Sequence, residues 1–116
     1  MAALQNEPKK ADLQLTAVLN ALSDDTRLQI VQTLAKSQDV ACNYFDIHMP
    51  KSSLSHHFRV LRTAGVIATR KEGTALLNRL RAEDLEERFP GVLRSVLAAQ
   101  HGSGNKKPEK RASRQL

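Results

Sequence analysis

Five side chains between residues 50 and 65 carry groups able to hold a nucleic acid: the hydroxyls of Ser52, Ser55 and Thr63, the imidazole of His56 and the guanidinium of Arg59. Wound as a helix at about 100° per residue, the stretch brings these five to one side. Leu54, Phe58 and Leu61 fall on the other and make a core stripe. The polar side has no carboxylate. Short hydroxyls, an imidazole and a guanidinium are the groups that hydrogen-bond base edges and grip phosphates. A merely solvated helix face more commonly mixes Glu with Lys, and ordinary solvation with acids missing by chance is the competing account. His56 lies near the centre of the polar face. His57 lies beside the apolar stripe and is expected to pack and make one internal hydrogen bond. Neither has a second ligand at i+4 on this helix, so these two alone are a weak sign of zinc. No nucleophile–base set, phosphate loop or paired acids occur, so neither an enzyme nor a cofactor is expected.

Such a face needs a helix to carry it. Pro50 suits a first helical turn, where its missing N–H has no partner to lose, and Gly65 sits where a left-handed stop belongs. Upstream, Leu15, Val18, Leu19 and Leu22 recur at helical spacing over residues 12–22. Ser23, Asp24 and Asp25 then supply a loop, an N-cap and first-turn acid for a helix over 25–36. That helix is apolar on two sides, with Leu28, Val31 and Ala35 on one stripe and Ile30 and Leu34 on another, and reads as the central buried helix. Arg27 is expected to form an ion pair inside the domain rather than to contact DNA. Residues 42–47 read as a short helix with Phe45 and Ile47 turned inward, followed by a turn with an exposed His48. Short helix, turn and the helix from Pro50 have helix-turn-helix spacing, which sends the second helix to the major groove.

Past Gly65 the pattern changes. Residues 66–70 are short and β-branched-rich, Lys71, Glu72 and Gly73 make a turn, and residues 74–80 return as a strand although Ala and Leu are poor strand formers. A basic hairpin here is a wing, with Arg70, Lys71 and Arg79 over the phosphates or minor groove. An ordinary hairpin with charged tips competes with this, but the position directly after the reading helix favours a wing. Residues 83–88 form a short acidic helix, and Val92, Leu93, Val96, Leu97 and Ala99 a last apolar one that suits burial against a second subunit. Residues 1–10 read as a flexible lead-in, 11–100 as the domain, and 101–116 as a basic disordered tail adding non-specific affinity or only solubility.

Composition agrees with one domain. The chain has 116 residues, with 18 Lys and Arg against 12 Asp and Glu, a net +6 that favours an anionic partner. The core is mostly aliphatic, since Tyr44, Phe45, Phe58 and Phe89 are the only aromatics. No apolar run is long enough to cross a membrane, and the first ten residues lack the apolar centre of a signal peptide. One cysteine, Cys42, excludes an internal disulfide and fits a cytoplasmic location.

Residues 18–31, Val-Leu-Asn-Ala-Leu-Ser-Asp-Asp-Thr-Arg-Leu-Gln-Ile-Val, resemble the opening of the ArsR family of bacterial winged-helix repressors. Residues 53–67, Ser-Leu-Ser-His-His-Phe-Arg-Val-Leu-Arg-Thr-Ala-Gly-Val-Ile, resemble that family's recognition helix and first wing strand. The two motifs stand in the right order, and the likeness spans about residues 12–82. It implies a homodimer joined through the first and last helices that binds an operator and represses. By position it makes Ser52, Ser53, Ser55 and His56 base-facing and Arg59 a backbone contact. Many members sense metals through paired cysteines before the reading helix, or through Asp and His on the last helix. Here Cys42 stands alone and residues 92–100 hold neither Asp nor His, so no metal site is expected. Cys42 remains a candidate redox switch, although a small buried cysteine is favoured.

The expected fold is therefore mainly α, a winged helix-turn-helix with dimerisation helices at both ends. The expected DNA-contacting set is Lys51, Ser52, Ser53, Ser55, His56, Arg59, Arg62, Arg70 and Lys71. The expected dimer interface is Leu15, Leu19, Leu22, Leu93, Val96 and Leu97. The partner is a double-stranded operator, an imperfect palindrome, with half-sites roughly 34–36 Å apart. A winged-helix module that binds protein and has lost DNA is the alternative, and the carboxylate-free face argues against it.

Overall fold

The computed structural model describes residues 2–3 and 7–105. Its centre is helix α2, Asp25–Lys36. Asp24 caps it by accepting the backbone N–H of Arg27 at 3.0 Å, and Asp25 adds first-turn acid. Ile30, Val31 and Leu34 are buried, while Leu28 is half-buried. Ala35, expected inside, is exposed. The inward side of α2 is thus one stripe with a shoulder rather than two.

Helix α1, Leu15–Ala21, is shorter than the 12–22 periodicity suggests. A separate 3-10 turn, Lys10–Asp12, precedes it. The break lets Leu13 turn inward, where it is 3 % exposed against Gly65. Strand β1, Ala2–Ala3, comes before that turn, and strand β2, Val40–Ala41, follows α2. Residues 42–47 are not a continuous helix: a 3-10 turn covers Cys42–Tyr44 and extended chain follows. Phe45 and Ile47 still pack against the core, and His48 is exposed. Helix α3, Lys51–Ala64, starts one residue later than expected, with Pro50 outside it as the cap residue at ψ 148°.

Strands β3, Ile67–Glu72, and β4, Ala75–Leu80, form the hairpin. Lys71 and Glu72 belong to the strand, and the loop is Gly73 and Thr74 alone. Gly73 at φ 63° supplies the positive φ that a two-residue hairpin with Gly first demands. The sheet order is β1-β3-β4-β2, all antiparallel. Pairing on both sides compensates for the weak strand propensity of β4. Thr69 and Asn78 are opposite one another and buried. Thr69 Oγ1 donates to Asn78 Oδ1 at 2.7 Å, and Asn78 Nδ2 donates to Val40 O at 3.1 Å and Cys42 Sγ at 3.2 Å. Both amide N–H groups and the amide oxygen of Asn78 thus have neighbours, as burial requires.

Helix α4, Ala82–Arg88, leads to helix α5, Val92–Asn105. The last helix therefore continues five residues into the expected tail; no described contact explains the extension, and residues 106–116 lie outside the described part. The expected flexible lead-in is also wrong over its described residues. Ala2 and Ala3 pair with Lys71 and Arg70 of β3. Glu7, Pro8 and Lys10 are bonded to β3, Arg81 and α4 respectively.

The apolar stripe expected at a dimer interface divides. Leu22 and Leu93, 5 % and 8 % exposed, belong to the protomer's own core. Val96 and Leu97 are half-buried against it. Leu15 and Leu19, 40 % and 44 % exposed, are uncovered. Leu93 thus has the internal partner that the sequence does not reveal.

Candidate nucleic-acid interface

Helix α3 has the two faces that its periodicity implies. Phe58, Leu61 and Ala64 are buried, with Leu54 half-buried beside them. Phe45 meets Phe58 at 5.3 Å between ring centres, inclined 67°. This edge contact fastens the loop before α3 to the helix's inner side. At the far end Gly65 adopts φ 86°, and the N–H of Val66 bonds Leu61 O at 2.9 Å. A Cβ at residue 65 would overlap Leu13 Cδ2 and reach Pro8 Cγ at 3.0 Å. Glycine is required there both for its left-handed backbone and for the close approach.

Lys51, Ser52, Ser53, Ser55, His56, Arg59 and Thr63 are all exposed. Arg62 is half-buried at the margin of this face. Among the described residues none of the five polar side chains first singled out has a hydrogen bond or ion pair with the protein. Between α1 and α3 runs an open groove of about 340 Å³, lined by Ala17, Asn20, His56, Arg59, Val60, Thr63 and Ala64. Tyr44, 68 % exposed in the turn before α3, is an aromatic that the sequence reading counts without assigning a use.

His57 is half-buried as expected, and its Nδ1 lies 3.0 Å from Arg27 Nη1 and 3.7 Å from Asp24 Oδ2. Arg27 is internal, but its partners are not carboxylates. Nε donates to Ala21 O at 2.7 Å and Nη2 to Asn20 O at 3.4 Å. The guanidinium thus closes the carbonyl end of α1 and reaches α3 in one step. Burial pushes the Asp24 carboxyl up, yet the N–H of Arg27, the neighbouring His57 and Arg27 charges and the N–H of Thr26 together hold it below the ordinary value.

The hairpin's basic residues separate. Lys71 and Arg79 are exposed. The Arg70 guanidinium is instead paired with Asp39 and lies 3.9 Å from Glu72, while its Nε is buried without a partner. The expectation that Arg70 is free for phosphate is corrected: Asp39, whose φ of 57° turns the chain before β2, takes its charge. The hydrogen bond and charge of Arg70 hold the Asp39 carboxyl below its usual range. Cys42 is half-buried and receives the Asn78 amide. Among the described residues no group of three or more His, Cys, Asp or Glu is gathered, and no helix is long and apolar enough to cross a membrane.

Residues 24–69 match the family model described as bacterial regulatory protein, arsR family. The chain is 35 % identical over 92 residues to an uncharacterized HTH-type transcriptional regulator, YceK, of Bacillus subtilis, covering 76 % of this chain and 92 % of that one. It is 31 % identical over 74 residues to an arsenical resistance operon repressor of Staphylococcus xylosus, covering 63 % and 71 %. The crystal structure of Rv0081 from M. tuberculosis aligns with a TM-score of 0.57 at 29 % identity, over 77 % of this chain and 90 % of that one.

Proposed function

The chain belongs to the arsR family of bacterial regulatory proteins, and on that footing we propose that it is a homodimeric, sequence-specific DNA-binding transcriptional regulator that represses from an imperfect palindrome. One observation carries the reading: the outer face of α3 presents Ser52, Ser55, His56, Arg59 and Thr63 to solvent with no internal hydrogen bond or ion pair among the described residues and no carboxylate. Ser52, Ser53, Ser55 and His56 read base edges in the major groove. Lys51, Arg59 and Arg62 hold the flanking backbone, and Lys71 with Arg79 extends the contact along the duplex from the wing. A net charge of +6 supports attraction to DNA before any base is read. Arg70 contributes by fixing Asp39 rather than by binding phosphate.

The dimer is proposed to form around Leu15 and Leu19, with Val96 and Leu97 completing the patch across a two-fold axis. Two α3 helices then enter successive major grooves roughly 34–36 Å apart. Repression follows from occupying the operator. The protein is taken to act in the cytoplasm, without a catalytic role or a metal, and Cys42 is taken as structural.

Selection of duplexes from a random-sequence pool tests this. The expected outcome is an enriched two-fold-symmetric sequence whose affinity falls with salt, with slope about −0.9 per phosphate neutralised. Recovery of no enriched sequence, with only weak salt-dependent binding to every duplex, would refute it.

A further inference from the structure

A hairpin joined to a helix through glycine has a pivot at that joint. Here the pivot is braced by residues 7–13, which the function just proposed does not use. Thr69 and Asn78 face each other with their side chains hydrogen-bonded, and the Thr69 N–H points away from β4. This is the outward edge of the hairpin, where a backbone donor needs a partner. Glu7 Oε2 accepts that N–H at 2.8 Å. One residue along, Pro8 O accepts Arg81 Nη1 at 2.7 Å. Arg81 is 7 % exposed, and its own N–H bonds Val66 O at 2.9 Å, at the root of β3. Its Nε and Nη2 hold Asp84 Oδ2 at 3.2 and 3.0 Å. Lys10 pairs with Glu87, its carbonyl accepts Arg88, and Leu13 fills the space left by Gly65 at the end of α3.

Glu7, Pro8, Lys10 and Leu13 therefore touch every body that meets at the pivot: the end of α3, the outer edge of β3, and α4. We infer that residues 7–13 are a brace that sets the angle of the wing against α3, with Glu7 and Arg81 as positioning residues for the wing's contact with DNA. Lys71 lies two residues beyond Thr69 on the same strand, so the brace acts close to the base of the arm that carries it. Glu7 touches no DNA. It completes the edge of β3, and the hairpin holds one direction while α3 is in the groove. Without that acceptor the Thr69 N–H is hydrated, the hairpin loosens on the side away from its β2 pairing, and α3 binds while the wing engages only part of the time.

The inference rests on the DNA-binding reading, and its test separates the two. The full chain, Glu7→Ala and Glu7→Gln are compared on a duplex selected by the unaltered chain. Glu7→Ala should speed amide exchange at Thr69 and remove protection from the flanks of the footprint while the central half-sites stay protected. It should weaken binding about fivefold or more, the lower range of coupling between linked sites. The salt slope should become shallower by about one for each phosphate contact the wing gives up. Glu7→Gln keeps a carbonyl oxygen acceptor and should restore slow exchange and the flanks. Faster Thr69 exchange with intact flanking protection would overturn the inference and leave the DNA reading standing, as would a lower melting temperature alone. Should the unaltered chain select no duplex, the DNA reading falls and this inference falls with it.

Discussion

His56 and Leu61 lie on one helix and should fail in opposite ways. His56 is exposed, whereas Leu61 is 0 % exposed among Phe58 and the rest of the core. His56→Ala should weaken binding to the selected duplex with little change in melting. Leu61→Ala should cost roughly 2–5 kcal/mol of stability, the range for a large-to-small change in a core. Melting and binding measured on both variants check the pair; a His56→Ala protein that melts early and binds normally would contradict the orientation given to α3. Asp24 caps α2 and titrates. Its carboxyl is held below the ordinary value of 3.8, so folding favours the charged form. That stability is complete above the ordinary value and is lost as pH falls through the lower folded one. Asp24→Ala should cost about 1 kcal/mol at neutral pH as a lost cap. Asp24→Asn keeps a capping oxygen and should flatten the acid limb of stability against pH. Denaturant melts from neutral pH down to the acid limb measure both.

Gly65 is where helix, wing and brace meet. Gly65→Ala would force a side chain to φ 86° and into Leu13, at a cost of at least about 1–2 kcal/mol for the backbone alone. Its melting temperature should fall, and Leu13→Ala in the same chain should not restore the backbone part. The stop at Gly65 was legible in the sequence, as were both ends of α2, because capping residues and 3.6-residue periodicity are local signals. The faces of α3 were legible for the same reason. What escaped has partners far along the chain. Arg70 finds Asp39 31 residues away, and Thr69 finds Glu7 62 residues away. Residues 2–3 and 7–10 look featureless until β3, Arg81 and α4 offer them partners. Asn78, the uncharged polar residue among the aliphatic side chains and Arg79 of β4, was an available signal of a buried polar link. The break between Lys10–Asp12 and α1 was hidden because Leu13 and Leu15 continue an apolar pattern across it.

For the whole molecule, the uncovered stripe of Leu15 and Leu19 decides the assembly experiment. Leu93 is part of the protomer core, so replacing it would test folding more than association. Leu15→Glu with Leu19→Glu instead changes two residues already 40 % and 44 % exposed. The double variant should keep its fold, sediment as a monomer and lose most of its affinity for a two-fold-symmetric duplex, although no DNA-facing residue has changed. A variant that remains dimeric would place the interface elsewhere. The brace gives the molecule a history as well as a shape. Its bonds to Thr69, Arg81, Glu87 and Arg88 span 62 to 78 residues, so residues 7–13 are seated only once residues 69–88 have been made. Residues 7–13 wait on a nascent chain until α4 exists, and closing so long a loop is entropically slow compared with winding α2 or α3. During that interval the chain has α3 but not a fixed wing. On the proposed reading, newly made protein would then pass through a period of lightly held contact with DNA, and seating the brace ends it.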